Sequence, residues 1–88
     1  AHHIGYLNRL TSPEKLEEET IELANRLANG PGVALRLDKW ATYAGLNMDF
    51  GAALDMLAAS QGIALTSEDF REATKAFQEK REPVYKGA

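Results

Sequence analysis

Between Pro31 and Thr66 the chain carries two successive stretches of helical periodicity, and each is apolar on two sides. In the first, Val33, Leu37, Trp40, Ala41 and Ala44 fall on one face, while Leu35 and Tyr43 lie on another. In the second, Phe50, Leu54, Leu57 and Leu65 share a face, and Ala53, Met56 and Ile63 mark another. A helix with two apolar faces needs neighbours on both. In 88 residues the remaining short helices cannot cover them all. The pattern therefore predicts a surface that meets a partner, either a further domain or another copy of the chain.

The punctuation around these stretches predicts an all-α chain of about four short helices behind a short extended N-terminal segment. Ala1-His2-His3-Ile4-Gly5 reads as the last turn of a helix, with Gly5 placed to end it in the left-handed conformation. Tyr6–Leu10 reads as extended. Ser12 suits an N-cap and Pro13 the first helical position, and Leu16, Thr20, Leu23, Ala24 and Leu27 then form one stripe opposite a glutamate face. This stripe is expected to be buried. Asn29-Gly30-Pro31-Gly32 ends that helix and starts the second, which is expected to run from about Pro31 to Ala44 with Gly45 as its stop. Asn47 or Asp49 caps the third helix, which extends to about Thr66. Ser67 caps the fourth, Glu68 and Asp69 occupy its first turn, Phe70, Ala73 and Phe77 make its stripe, and Pro83 is expected to stop it. The tail Val84–Ala88 reads as extended.

Composition narrows the function classes. At 44% hydrophobic and 26% charged the chain is a folding sequence rather than a disordered one. Without cysteine it has no disulfide, no thiol nucleophile and no Cys-based zinc site, which fits a cytoplasmic setting. No apolar run approaches a membrane span. The net charge of −3 gives no global drive toward nucleic acid. Charge is nevertheless segregated: Glu14, Glu17, Glu18, Glu19 and Glu22 against Lys15 leave −4 early in the chain. Arg71, Lys75, Lys80, Arg81 and Lys86 against Glu72, Glu79 and Glu82 leave +2 at its end.

No catalytic constellation emerges. His2 and His3, adjacent on a helix, diverge by about 100° and cannot chelate one metal together. Glu17-Glu18-Glu19 likewise diverge and form a solvated face. Trp40 and Tyr43, at helical spacing among apolar neighbours, read as core or interface packing. The glycine-rich Asn29–Gly32 lacks the Lys-Ser/Thr ending of a phosphate-binding loop. Ser12, Ser60 and Ser67 have no histidine near them in sequence. Phe77 and Lys80, neighbours at i and i+3, read on periodicity alone as a core phenylalanine beside a lysine that reaches to solvent.

Taken in order, several strings resemble the C-terminal region of the crotonase (enoyl-CoA hydratase/isomerase) superfamily. Ile4-Gly5-Tyr6-Leu7-Asn8-Arg9-Leu10 resembles its I-G-L-V-N-x-V segment. Leu23-Ala24-Asn25-Arg26-Leu27-Ala28 through Pro31 resembles its L-A-x-x-I-A-x-x-P stretch, and Ala34 to Lys39 its A-x-x-x-x-K helix. Gln61 precedes Ser67-Glu68-Asp69-Phe70-Arg71-Glu72 and Ala76-Phe77-Gln78-Glu79-Lys80-Arg81-Glu82-Pro83, which are similar to the family's S/T-x-D-x-x-E-G and A-F-x-E-K-R-x-P blocks. Ala73 departs from the glycine usual after the motif glutamate, and Leu57 stands where many members carry glutamate.

The resemblance implies that residues 1–88 are one helical domain, the trimerisation region of a crotonase-like fold. The spiral ββα catalytic core would precede Ala1 and be absent. Family reactions run through a thioester enolate held by two backbone N–H groups of that core. This chain alone would then have no catalytic residue, hold no metal and be inert, while its parent would be a hydratase, isomerase, lyase or hydrolase of acyl-CoA. Coenzyme A would enter as part of the substrate rather than as a cofactor, and the parent would form trimers or hexamers. Phe77 and Lys80 match the motif residues that contact CoA held mainly by a neighbouring subunit, the lysine at a phosphate and the phenylalanine near the adenine end. The competing class is a free-standing helical protein–protein interaction domain without activity, which explains the surplus apolar faces equally well.

Overall fold

The computed structural model spans residues 1–88 and contains helices and turns but no strand. Four helices run α1 Leu16–Ala28, α2 Gly32–Gly45, α3 Phe50–Thr66 and α4 Glu68–Glu79, with a 3-10 turn at Pro13–Lys15 leading into α1. At the N-terminus the Tyr6 N–H donates to the Ala1 carbonyl and the Gly5 N–H to the His2 carbonyl, both at 3.0 Å. With Gly5 at φ +79°, this is the paired 6→1 and 5→2 bonding of a helix end, as expected of Gly5. Ser12 opens the next element through its carbonyl, which accepts the Lys15 N–H at 3.1 Å, and its side chain makes no cap bond.

The α1 stripe is formed but not buried. Leu16 and Leu27 are each more than half exposed, and no residue of α1 is buried. The reason is topological: the extended contacts between helices join α2 to α3 and α3 to α4, leaving α1 against its own 3-10 turn.

The link Leu46–Asp49 closes α2 and α3 into an αα-hairpin. Asp49 caps α3, its side chain accepting the Ala52 N–H at 3.0 Å. The faces that meet are the small ones. Ala41 and Ser60 are buried, and a Cβ placed on Gly45 would lie 4.0 Å from that of Ala53. Between the helices runs a groove of about 320 Å³ lined by Ala34, Leu37, Ala41, Leu57, Ser60 and Ala64. The large residues Phe50, Leu54, Leu57 and Leu65, which share one face, all stay exposed. A short hairpin brings the backbones close, and alanine, serine and glycine take the nearest approach, with Leu37 and Leu57 bordering the groove. Trp40 is thereby turned out at 55% exposure.

The result is a slab measuring 42 × 41 × 18 Å with a radius of gyration of 16.4 Å. A compact domain of this length would have a radius near 12 Å. Its thickness is under two helix diameters of about 10 Å each, so no residue layer can be enclosed from both sides. Just four residues, Ala41, Ser60, Asp69 and Ala76, are buried. No helix is long and apolar enough to cross a membrane.

This packing yields a paired expectation for urea unfolding followed by helical circular dichroism. Trp40→Ala should change stability by less than about 0.5 kcal/mol. Ala76→Leu, which places a larger side chain at a position 1% exposed that borders no cavity, should cost about 1–3 kcal/mol. A loss above about 2 kcal/mol for Trp40→Ala would instead place the indole in a packed environment.

Candidate functional site

Ser67 ends one helix and begins the next. It has extended backbone angles of −68° and 157°, and its hydroxyl accepts the Phe70 N–H at 3.1 Å while donating to the Ala64 carbonyl at 2.6 Å. One side chain thus satisfies an orphan donor of α4 and an orphan acceptor of α3. The N-cap expected of Ser67 is the one observed.

Asp69, in the first turn of α4, reads from sequence as a charge favourable to the helix dipole. In the structure it is 2% exposed, the most enclosed large side chain of the molecule. Its carboxylate receives the Lys86 N–H at 2.8 Å and the Gly87 N–H at 3.1 Å on both oxygens, while its own N–H donates to the Ala88 carbonyl at 3.0 Å. Burial pushes this carboxyl's pKa up. The backbone amides of Lys86, Gly87, Val33 and Ala88 outweigh that and hold it below the ordinary carboxylate value. Val33 lies in the first turn of α2, so the carboxylate that holds the tail also sits close to the start of that helix. Arg36 of α2 adds a bond to the Gly87 carbonyl at 3.2 Å. A Cβ on Gly32 would lie 3.1 Å from the Gly87 Cα, so the close approach of tail and helix depends on glycine at 32.

One turn further along α4, Glu72 forms a bidentate fork with Arg81, at 2.6 Å from Nη1 and 3.0 Å from Nη2. Its Oε1 also accepts the Val84 N–H at 3.0 Å. These bonds, the guanidinium first, hold the Glu72 carboxyl at about 2, well below its ordinary value. Hydrogen bonds from Arg81 to Glu72 and then Glu79 push the guanidinium pKa further up. The acidic residues of the S-x-D-x-x-E string are therefore clasps for the C-terminal tail, with no reacting groups around them.

Helix α4 stops before Pro83. Lys80 adopts φ 54° and ψ 40°, the only non-glycine residue of the chain at positive φ. Its N–H donates to the Phe77 carbonyl at 3.2 Å and the Arg81 N–H to the Ala76 carbonyl at 3.0 Å. This is again a 5→2 and 6→1 helix end, here with lysine where glycine is usual. A side chain in that conformation costs about 1–2 kcal/mol. The left-handed turn, rather than the proline, ends the helix.

The two residues singled out for ligand contact sit at this end. Phe77 is 85% exposed and has no role in the core, contrary to the reading from periodicity alone. Lys80 is exposed and makes no ion pair, whereas Arg81 beside it pairs with Glu72 and Glu79. Ala73 lines a small cleft with Pro31, Ala34, Ala64 and Tyr85, where its methyl is accommodated. No cluster of three or more His, Asp or Glu side chains gathers anywhere. The roles of Asp69, Glu72, Arg81 and Arg36 were not apparent in sequence, because most of their partners are backbone groups of a distant segment. The D-x-x-E spacing, with an arginine nine residues further on, is the trace they leave.

No protein-family model matches the chain. Known proteins do. The crotonyl-CoA hydratase of Syntrophomonas wolfei is 33% identical over 81 residues, 92% of this chain and 31% of that protein. The 1,2-epoxyphenylacetyl-CoA isomerase of Escherichia coli is 32% identical over 87 residues, 99% of this chain and 33% of that protein. The crystal structure of an enoyl-CoA hydratase from Bacillus anthracis superposes with a TM-score of 0.92 at 33% identity, covering 100% of this chain and 34% of that one. The chain spans about a third of the length of these proteins, and the matched part is their C-terminal region.

Two outcomes test the clasp. Asp69→Asn replaces a carboxylate that serves several amides by a group with one acceptor oxygen. Amide exchange at Lys86 and Gly87 should then accelerate while the α2–α3 hairpin keeps its protection; unchanged exchange would mean that the tail is held by other contacts. For Glu72, a folded pKa of about 2 against an ordinary 4.5 means that its contribution is complete above pH 4.5 and lost as the pH falls toward 2. The Val84 amide resonance should hold its bound position at neutral pH and move only below 4.5. A Glu72 carboxyl titrating at its ordinary value would mean that the fork is open. Sequence order, helical architecture and superposition agree: these 88 residues belong to the crotonase (enoyl-CoA hydratase/isomerase) superfamily and match the C-terminal helical region of its members.

Proposed function

We propose that the chain is the oligomerisation and CoA-contacting segment of an enzyme acting on acyl-CoA thioesters, with no catalytic activity of its own. The observation that carries this reading is Phe77, exposed at 85% beside an unpaired Lys80 at the end of α4. An aromatic ring with no place in the core next to a free ammonium suits a ligand with an aromatic base and phosphates. Phe77 offers the base a surface and Lys80 meets a phosphate as a compact charge. Coenzyme A is here the handle of the substrate. The exposed faces carrying Trp40, Tyr43 and Phe50 support the assembly role, since apolar surface of that extent is stable when covered. In this reading the parent is a cytoplasmic trimer or hexamer whose spiral core supplies the reacting groups, and the C-terminal end of one subunit reaches CoA bound to another.

The relatives include a hydratase and an isomerase, so the tail does not select the reaction. A second reading, a helical protein–protein interaction domain, is favoured by the same exposed apolar faces. It assigns no ligand to Phe77 and Lys80.

Lys80→Ala in the full-length protein separates the two. Calorimetric titration should show about a tenfold loss of CoA affinity at low salt, the scale of one charge-assisted contact, with little change in thermal midpoint. Unchanged affinity would remove Lys80 from the ligand and favour the interaction domain.

A further inference from the structure

Lys80 occupies the one backbone conformation in this chain that a glycine would adopt more easily. Glycine there would end α4 with the same two hydrogen bonds and no strain. Strain retained at a single residue points to a use for its side chain. Something must also hold it, because Lys80 makes no side-chain hydrogen bond or ion pair of its own.

The holding groups surround it. Arg81, the next residue, turns back along α4 and is fixed by four acceptors: both oxygens of Glu72, Glu79 Oε2 at 2.6 Å and the Glu82 carbonyl at 3.2 Å. Its N–H closes the turn onto the Ala76 carbonyl. Glu72 binds the chain again beyond the turn, through the Val84 amide. The segment 81–84 is therefore tied to the side of the helix, and Lys80 lies at the apex of the reversal with its ammonium free. The fork is planar and bidentate, which fixes direction as well as distance in a way one lysine–carboxylate pair does not.

We propose that Glu72 and Arg81 are positioning residues: their fork locks the left-handed turn and so presents the Lys80 ammonium, beside Phe77, to a phosphate of CoA. This rests on the CoA-contacting reading of Phe77 and Lys80. It adds that two residues which touch no ligand set the affinity for the phosphate-bearing end.

The test uses the full-length protein and two probes. These are coenzyme A and pantetheine, which lacks the nucleotide and its phosphates and so does not reach Lys80. Arg81→Lys keeps the charge but loses the fork, and Glu72→Gln keeps the shape but loses the ion pair. Each should lower CoA affinity about tenfold and leave pantetheine binding unchanged. Lys80→Gly relaxes the turn and removes the ammonium. It should show the same selective loss with a thermal midpoint at or above the parent's. The double variant Lys80→Gly with Arg81→Lys should bind CoA no more weakly than Lys80→Gly alone, since both act through one contact.

Equal loss for CoA and pantetheine in both Arg81→Lys and Glu72→Gln would mean general damage and overturn the positioning role. So would full CoA affinity in those variants when Lys80→Gly is impaired; the CoA contact would then stand without it. Full CoA affinity in Lys80→Gly would overturn the contact and the positioning role together.

Discussion

A carboxylate that leaves water must find donors wherever it is buried, and Asp69 finds them in the distant C-terminal tail. Its partners are the tail amides at Lys86 and Gly87, and the amide of Val33 in the first turn of α2 helps to keep its pKa low. A charge so enclosed is tolerated only when its lone pairs are filled. Each donor is therefore also a constraint on where its segment can lie. The glycine at 32, the left-handed Gly87 and the Arg36 bond all serve the same junction. Through it the end of the chain is anchored to the one well-packed element, the α2–α3 hairpin.

The rest of the slab has no comparable anchor. Apolar burial, ordinarily the dominant favourable term in folding, is almost absent within the 88 residues, and polar clasps carry an unusual share of the tertiary organisation. The groups left over are large: Trp40, Tyr43, Phe50 and Leu46 are all more than half exposed. A segment built this way leaves apolar surface of the kind that marks an interface. That is consistent with relatives about three times its length, in which the equivalent residues are one region of a larger protein.

The same economy shapes the candidate ligand end. Each residue of the A-F-x-E-K-R run has a separate physical duty. Ala76 is buried and its carbonyl closes the turn, Phe77 is exposed, Glu79 and Arg81 pair, and Lys80 takes the strained conformation. A motif of this kind resembles a catalytic signature in its density of charge, yet its one acid, Glu79, is paired with Arg81. Ser67 spends its side chain on groups that helix ends leave unpaired, and Asp69 and Glu72 bind amides of the non-helical tail.

Local rules settled much of this protein from sequence alone. The four helices, the cap at Ser67, the left-handed Gly5 and the surplus of apolar faces all follow from interactions within a few residues, while the cap of α3, open between Asn47 and Asp49 in sequence, falls to Asp49. The order of short motifs identified the family for the same reason, since it too is a linear property. Sequence did not reveal which faces meet. Periodicity marks apolar sides without saying which is inside, and the short hairpin chose the small side over Phe50, Leu54 and Leu65. Nor did it reveal that α1 lies unburied, that α4 ends at Lys80 before Pro83, or that Asp69 and Glu72 grip the tail. The grip on the tail depends on backbone amides up to eighteen residues away along the chain. Every residue offers the same amide and carbonyl, so only the tertiary structure decides which of them a given side chain will meet.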